Sequence, residues 1–299
     1  RGYPPAFAAA LLSVAGTLAL LMPLSIPFLV YAFISGVSMR QLSMSGVIPA
    51  FIMAVALILV CIWYGKKTGC DSGDQRASAA EIWAAFKATG PALLMPVIIV
   101  GGIWSGQFTP TEAASVAVVY GLVISLYFYR DITWRDLPPI ILRSFQTSAV
   151  VLLVIGATGC LAWLITVEQV AVQLSEWVQS VAHQPWLFLL LLNVCLLLLG
   201  IFIEPLPAML LTTPLFLPLA LAFKIDLVHL GVVITANLAI ALYTPPVGGT
   251  LFVAASIAKA GIGPVSRHLI PLMAAAVVVL FIVTYVPELT QVIFRLIIG

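Results

Sequence analysis

Long apolar runs, each interrupted at one point, dominate the hydrophobic pattern of this chain. The clearest run extends from about Leu227 to Ala258, and its middle carries the sequence Tyr-Thr-Pro-Pro-Val-Gly-Gly-Thr at 243–250. About 20 apolar residues suffice to cross a bilayer, but two consecutive prolines remove two backbone donors and clash with the preceding turn. The pattern therefore predicts two half-helices around a break. Such a break is tolerated in a membrane where it is buried in protein or lines a wet cavity.

A second interruption of the same kind favours a functional break over a simple packed proline kink. The sequence Pro-Leu-Ser-Ile-Pro at 23–27 interrupts another apolar run, and a shift of 222 residues places Pro23 on Pro245. In both places a further proline follows 26 residues later, Pro49 or Pro271, and opens a long apolar helix. The half-helices at such breaks direct dipole ends and freed carbonyls toward an ion or an anionic substrate. We therefore predict a duplicated architecture with one broken helix in each repeat.

Helix-start signals and apolar spacing place the other elements. Thr109-Pro110-Thr111-Glu112 has the form of a capping box with proline at the first helical position. Apolar and polar residues alternate at helical spacing over 167–181, which predicts a helix along the membrane surface. Further helices are expected at 46–64, 112–129, 138–165 and 270–286, with a short surface helix at 78–87 and an apolar segment at 91–103 that is too short to cross upright.

The apolar segment from Trp186 to Phe223 is too long for one upright span, and Glu204-Pro205-Leu206-Pro207 splits it. Re-entrant tips occur at membrane depth where their backbone is buried in protein. We therefore predict a helical hairpin that dips into the membrane and returns to the same side, with its tip at 203–207.

Composition places the chain among polytopic membrane proteins. Hydrophobic residues make up 63% and charged residues 8% of its 299 positions, with a mean hydropathy of +1.18, whereas soluble domains are about 25% charged. A net charge of +2 without a basic cluster predicts no nucleic-acid partner. The apolar spans lack HExxH, GxSxG and paired catalytic carboxylates, which disfavours a membrane-embedded enzyme. A channel would need a continuous polar lining, which the broken helices do not suggest.

Lysine and arginine placement orients the helices, because cytoplasmic loops carry an excess of both. One basic loop lies at 66–87 and another at 130–143. With both in the cytoplasm, the first broken helix runs from inside to outside and the second from outside to inside. We therefore predict an all-α polytopic membrane protein with inverted repeats, a re-entrant helical hairpin and two broken helices, which is the architecture of an elevator-type secondary transporter.

Four short segments are more specific than the hydropathy pattern: GQFTPTEAA at 106–114, GIFIEP at 200–205, PLFLP at 214–218 and TPPVGGTLFV at 244–253. Together they resemble the large membrane (permease) subunit of tripartite ATP-independent periplasmic (TRAP) transporters, over the whole chain. The resemblance implies sodium-driven uptake of an organic acid, commonly a dicarboxylate, sialic acid or another sugar acid, across the bacterial inner membrane. It also implies two protein partners besides the lipid bilayer, a periplasmic substrate-binding protein and a small membrane subunit. A sodium-coupled carboxylate symporter that works without a binding protein is the alternative.

The two breaks and the hairpin tip supply the candidate site. We expect sodium and substrate to contact, in the second repeat, Gly200, Glu204, Thr244, Pro245, Pro246 and Gly248, and in the first repeat Pro23 and Ser25. Sodium requires several neutral oxygens, which the Thr244 hydroxyl and the carbonyls freed around Pro245 and Gly248 would supply. No other metal is expected. Glu204 is either a solvated tip carboxylate or a functional acid between apolar arms.

Other polar residues have two interpretations each. Ser25 either contributes to a sodium shell or hydrogen-bonds the kinked backbone. Asn237 either binds a ligand or holds the hairpin against the second broken helix. The three histidines, His183, His229 and His268, are expected at loop or interface positions, because no second ligand lies three or four residues away.

The repeat divides the chain into three parts. These are the remainder of the first repeat (1–64), a cytoplasmic connector (65–90) and the second inverted repeat (91–299), which contains the hairpin (186–223), the broken helix (227–258) and the last helix (270–286). Only the second repeat shows a hairpin ahead of its broken helix, so internal symmetry predicts a further, upstream N-terminal part. The hairpin and both broken helices are expected to move as one body against scaffold helices around 46–64, 112–165 and 270–286.

Overall fold

The computed structural model describes residues 3–23, 25–69, 78–169, 173, 184–246 and 248–298, and every regular element in these ranges is a helix. Six of the described stretches are long and apolar enough to cross a membrane, namely Pro5–Ser35, Met39–Thr68, Ala79–Trp104, Pro110–Tyr129, Pro205–Ala222 and Ile262–Tyr285. The predicted all-α polytopic membrane fold is thus confirmed. The surface helix predicted at 167–181 lies mostly outside the described residues.

The described ranges contain the following helices. In chain order they are α1 (Pro5–Thr17), α2 (Ile26–Ser35), α3 (Met39–Ser45), α4 (Val47–Thr68), α5 (Ala79–Trp104), α6 (Pro110–Val123), α7 (Leu137–Val167), α8 (Pro185–Gly200), α9 (Pro205–Ala222), α10 (Leu227–Ala241), α11 (Gly249–Ile257), α12 (Ile262–Tyr285) and α13 (Glu288–Ile298). A 3₁₀ turn at Leu18–Leu21 continues α1, and a π-helical turn at Ile124–Tyr129 continues α6. Both broken helices are confirmed, as α1 with α2 and as α10 with α11.

One compact unit is formed by Arg1–Ser72 and Ala157–Gly299, and α10 lies at its centre. All residues from Val228 to Ala241 are buried, as expected of a helix that is apolar on every side. Asp226 caps this helix by accepting a hydrogen bond from the His229 backbone at 2.8 Å. The Tyr31 hydroxyl on α2 donates to the Leu227 carbonyl at 2.6 Å. The two broken helices are therefore tied to each other directly.

The second compact unit is Gly73–Gly156. The predicted capping box at the start of α6 is confirmed: the Glu112 backbone donates to Thr109 Oγ1 at 3.3 Å, and Glu112 Oε2 accepts from the Thr109 backbone at 2.8 Å. The helix α5 corrects two predictions, because it runs without interruption through Gly90 and Pro91. The sequence predicts a short surface helix at 78–87 and a separate apolar segment at 91–103 in its place.

Each proline inside a helix removes one backbone donor and leaves the carbonyl four residues earlier without its helical partner, so Pro91 and Pro96 free the carbonyls of Lys87 and Ala92. The Tyr120 hydroxyl donates to the Pro91 carbonyl at 2.7 Å, and the Tyr129 hydroxyl donates to the Ala88 carbonyl at 3.0 Å. These bonds join α5 to α6 and to the π-helical turn that follows it.

Two further boundaries differ from the predictions. The hairpin tip is 201–204, and Pro205 opens α9, because the fixed φ of proline suits the first helical position. The last predicted helix begins at Ile262 instead of 270, since Pro264 falls in the first turn, where backbone donors have no helical partner in any case. Finally, α3 and α13 are helices that the sequence analysis did not predict.

Candidate functional site

The hairpin tip presents a carboxylate. Glu204 stands at the N-cap position of α9, where its carbonyl accepts from the Ala208 backbone at 3.0 Å. Its side chain makes no capping hydrogen bond and is exposed. The carboxylate is therefore available to a ligand at the point where the two arms of the hairpin meet.

The second break lies between Ala241, the end of α10, and Gly249, the start of α11. The Thr244 hydroxyl is half-buried, donates to the Ile240 carbonyl at 2.8 Å and lies 3.9 Å from Met273 Sδ. Some of the carbonyls at this break already have partners among the backbone N–H groups that follow. The Thr244 carbonyl accepts from the Gly248 backbone at 3.0 Å, because the chain folds back on itself after the prolines. The Leu242 carbonyl also has later donors.

At the first break, the second half-helix begins with a side-chain cap. Ser25 Oγ accepts from the Phe28 backbone at 3.3 Å and so caps α2. This is the backbone role that the sequence analysis left open for Ser25. Its neighbour Pro23 is half-buried. The Thr17 hydroxyl donates to the Val14 carbonyl at 2.8 Å, which is also a backbone role.

Three cavities surround the tip and the breaks. A cavity of about 90 Å³ lies between the tip and the second break, and its lining includes Gly200, Glu204, Leu242 and Gly248. A cavity of about 380 Å³ lies between the tip and the first break, and Ser25 is in its wall. The largest, of about 760 Å³, lies between α1 and α11. Glu204 and Leu242 line all three, so the cavities meet at this pair.

The structure thus brings together four of the eight predicted site residues. Gly200, Glu204 and Gly248 line the smallest cavity, and Ser25 shares the second one with Glu204. The other four lie in the breaks but are not among the described residues that line the three cavities, namely Pro23, Thr244, Pro245 and Pro246.

Asn237 holds the hairpin against the second broken helix, which confirms the structural role considered for it. Its Nδ2 donates to Asn193 Oδ1 on α8 at 2.7 Å and to the Val233 carbonyl at 2.8 Å. Asn193 Nδ2 in turn donates to Thr284 Oγ1 on α12 at 3.1 Å. All three side chains are buried, so this chain of hydrogen bonds fixes three helices around the site.

His229 corrects a prediction, because it is 2% exposed and not at a surface position. Its Nε2 lies 3.1 Å from the Thr284 carbonyl, and its Nδ1 lies 3.1 Å from Thr290 Oγ1 on α13. This burial was not predictable without α13, because Thr290 lies on that helix. His268 contacts Phe7 and Tyr64 edge-on, and His183 lies outside the described residues.

A helical hairpin whose tip meets two broken helices inside an apolar bundle defines a membrane transport protein. The chain belongs to the family described as "Tripartite ATP-independent periplasmic transporter, DctM component", whose model matches residues 1–289. It is therefore a multi-pass inner-membrane transporter subunit and not an enzyme. The resemblance noted in the sequence is confirmed.

The names of three relatives specify different substrates. The chain is 37% identical over 289 residues to the C4-dicarboxylate TRAP transporter large permease protein DctM of Pseudomonas aeruginosa, covering 97% of this chain and 67% of the relative. It is 34% identical over 297 residues to the sialic acid large permease protein SiaM of Vibrio cholerae, covering 99% and 69%. It is 35% identical over 289 residues to the isethionate permease protein DctMQ of Oleidesulfovibrio alaskensis, covering 97% and 46%.

Proposed function

We propose that the chain is the permease of a sodium-coupled uptake system for an organic acid, such as a dicarboxylate, sialic acid or a similar sugar acid. The observation that carries this proposal is the junction at Glu204 and Leu242, where cavities from the tip and from both breaks meet. The names of the relatives, which specify C4-dicarboxylate, isethionate and sialic acid, support an acidic substrate.

Charge at the junction gives a reason for sodium coupling. Glu204 is the one ionisable residue among the described residues that line the three cavities. An acidic substrate nearby is repelled by it, since two unit charges about 4 Å apart interact by about 1 kcal/mol in water and about 4 kcal/mol near a protein surface. A sodium ion between Glu204 and the acidic group of the substrate attracts both, so the net interaction becomes favourable. Binding of the substrate then depends on binding of the ion, which is the requirement for coupled transport.

The oxygens around the second break suit a hard monovalent cation. The Thr244 hydroxyl uses its proton on the Ile240 carbonyl, so its oxygen lone pairs remain available to an ion. Backbone carbonyls at the end of α10 carry the negative end of the helix dipole, which favours a cation by about 0.3–1 kcal/mol. Glu204 contributes a full negative charge from the tip. These groups supply the ligand types that sodium prefers.

We further propose that a periplasmic binding protein delivers the substrate and that a small membrane subunit completes the transporter. In this proposal the hairpin and both broken helices move through the membrane as one body, in the manner of an elevator. The hydrogen bonds from Asn237 to Asn193 and from Tyr31 to Leu227 support such a movement, because they join these elements internally.

Reconstitution tests this function. The permease with its small subunit is placed in proteoliposomes, and radiolabelled acids are supplied with the cognate binding protein outside. We expect uptake with an inward sodium gradient and none with an equal potassium gradient. Uptake that persists without sodium would refute sodium coupling. Uptake without the binding protein would instead support the symporter that works alone.

A further inference from the structure

Leu242 carries an unusual share of the hydrogen bonds at the second break. Its carbonyl accepts two bonds from a single residue beyond the prolines, one from the Thr250 backbone at 3.3 Å and one from Thr250 Oγ1 at 3.1 Å. Leu242 is also one of the two residues that line all three cavities. Thr250 therefore holds the residue around which the candidate site is built.

This contact replaces a missing helix cap. The first N–H groups of a helix need partners from outside the helix, and a side-chain oxygen at the N-cap usually supplies one. The N-cap of α11 is Gly248, which has no side chain. The Leu242 carbonyl takes that role, so the end of α10 caps the start of α11. The two half-helices are thereby fixed to each other across the break.

A third element joins this clamp. Ser13 of α1 is 2% exposed, and its Oγ lies 3.2 Å from Thr250 Oγ1. A hydroxyl has one proton to donate, and that of Thr250 is used on the Leu242 carbonyl. Ser13 must therefore donate to Thr250. The resulting relay runs from the first broken helix, through α11, to the last turn of α10, and links two positions that are 237 residues apart.

We propose that Thr250 is a positioning residue for the sodium site at the second break. Its hydroxyl sets the distance between the two half-helices and so fixes the carbonyls and the Thr244 oxygen that would receive the ion. Through Ser13 it also makes that geometry depend on the first broken helix. The proposal rests on the proposed sodium coupling. Thr250 contributes no ligand of its own in this role.

Two substitutions at one position separate positioning from packing. Thr250→Val keeps the shape and removes the hydroxyl, whereas Thr250→Ser keeps the hydroxyl. The matched control is Thr235→Val, which likewise removes a threonine hydroxyl that donates to a backbone carbonyl, here that of Gly231 at 2.8 Å within α10. Ser13→Ala removes the far end of the relay and carries the test if Thr250→Val does not fold.

The measurement is the sodium concentration at half-maximal thermal stabilisation of the purified permease with its small subunit, at constant ionic strength with choline chloride. We expect Thr250→Val to raise this midpoint about three- to tenfold, the effect of losing one hydrogen bond of ordinary net strength. Thr250→Ser and Thr235→Val should keep the wild-type midpoint. Ser13→Ala should raise it less, and should add nothing in the Thr250→Val background.

The outcomes distinguish the two proposals. A wild-type protein stabilised equally by sodium and choline would refute the sodium site itself. A wild-type protein that responds to sodium, with an unchanged midpoint in Thr250→Val, would refute only the positioning role. A midpoint raised equally in Thr250→Ser or in Thr235→Val would also refute it, because the effect would then come from packing.

Discussion

Gly200, the last residue of α8, lies directly against Ala241, the last residue of α10. A Cβ added at Gly200 would overlap the Cβ of Ala241, whereas the next side-chain atom, Cδ2 of Leu238, is 3.6 Å away. The hairpin tip therefore reaches the second break because position 200 has no side chain. The smallest cavity, which includes both residues in its wall, owes its shape to this contact.

This contact predicts a compensating pair of substitutions. Gly200→Ala should lower uptake and destabilise the protein by about 1–3 kcal/mol, because it overpacks the tip. Adding Ala241→Gly removes the opposing methyl group and should restore most of the uptake, although glycine loses more backbone entropy on folding than alanine does. Uptake assays and thermal unfolding of the single and double variants check this. An equal loss in both would show that the methyl contact is not the cause.

Local signals in the sequence were sufficient for much of the fold. The prolines of the second break and the capping box at Thr109 act within a few residues, and both features are observed where they were predicted. The uninterrupted α5 was not predictable in the same way. It continues through Pro91 and Pro96, and the Tyr120 hydroxyl of α6 donates to the Pro91 carbonyl, a contact 29 residues away that leaves no mark near the proline.

The residues of the candidate site also fall into two groups, those that local sequence signals predict and those whose role depends on distant contacts. Gly200 and Glu204 were recognisable because they lie at a polar interruption of an apolar segment. Thr250 was not, since its partners are Leu242 across the break and Ser13 on α1. His229 follows a good N-cap, Asp226, which is a local signal for a helix start, but its burial depends on α13. Contacts between distant segments decide these roles.

The moving body can be tested with a cross-link between α8 and α12. The Tyr285 hydroxyl donates to the Trp186 carbonyl at 3.2 Å, and both side chains are exposed. The sequence predicts α12 as part of the scaffold, whereas the buried hydrogen bond from Asn193 to Thr284 joins α12 to the hairpin. Cysteines at 186 and 285, joined by a short bifunctional thiol reagent, should therefore leave uptake unchanged. Each single cysteine treated with the reagent is the control, and loss of uptake only in the pair would assign α12 to the scaffold.

The buried amide pair predicts strong coupling between Asn193 and Asn237. Asn237→Ala leaves the Asn193 acceptor without its donor and should destabilise the protein by about 1–3 kcal/mol. Replacing both residues with leucine removes the donor and the acceptor together, so the double variant should lose less than the sum of the two single leucine variants. Thermal unfolding in detergent gives the stability of the alanine variant, of the two single leucine variants and of the double leucine variant. Additive losses would mean that the two amides act independently.

The hydroxyl of Thr244 supplies the side-chain oxygen at the second break that we expect to bind sodium. Thr244→Val keeps the shape of the side chain and deletes this ligand. We expect it to raise the sodium concentration for half-maximal uptake, without changing the affinity of the binding protein for the substrate. Thr212→Val, which removes a buried hydroxyl bonded to the Ala208 carbonyl within α9, is the matched control. An unaltered sodium dependence would assign the second break to packing alone.

The Glu204 carboxylate either binds the ion or is a solvated charge at the hairpin tip, and substitutions at this position distinguish the two roles. If sodium lies between Glu204 and an acidic substrate, Glu204→Gln weakens ion binding by the loss of one charge pair, about 1–4 kcal/mol at a separation of about 4 Å. The same change also removes the repulsion of the substrate, so residual uptake should depend less steeply on sodium. Glu204→Asp keeps the charge and should retain the steep dependence at a higher sodium concentration. Uptake measured across a sodium series therefore distinguishes the two variants. Identical sodium curves for wild type and Glu204→Gln would make this carboxylate a solvated residue at the tip, because a charge that contacts the ion cannot be removed without altering its binding.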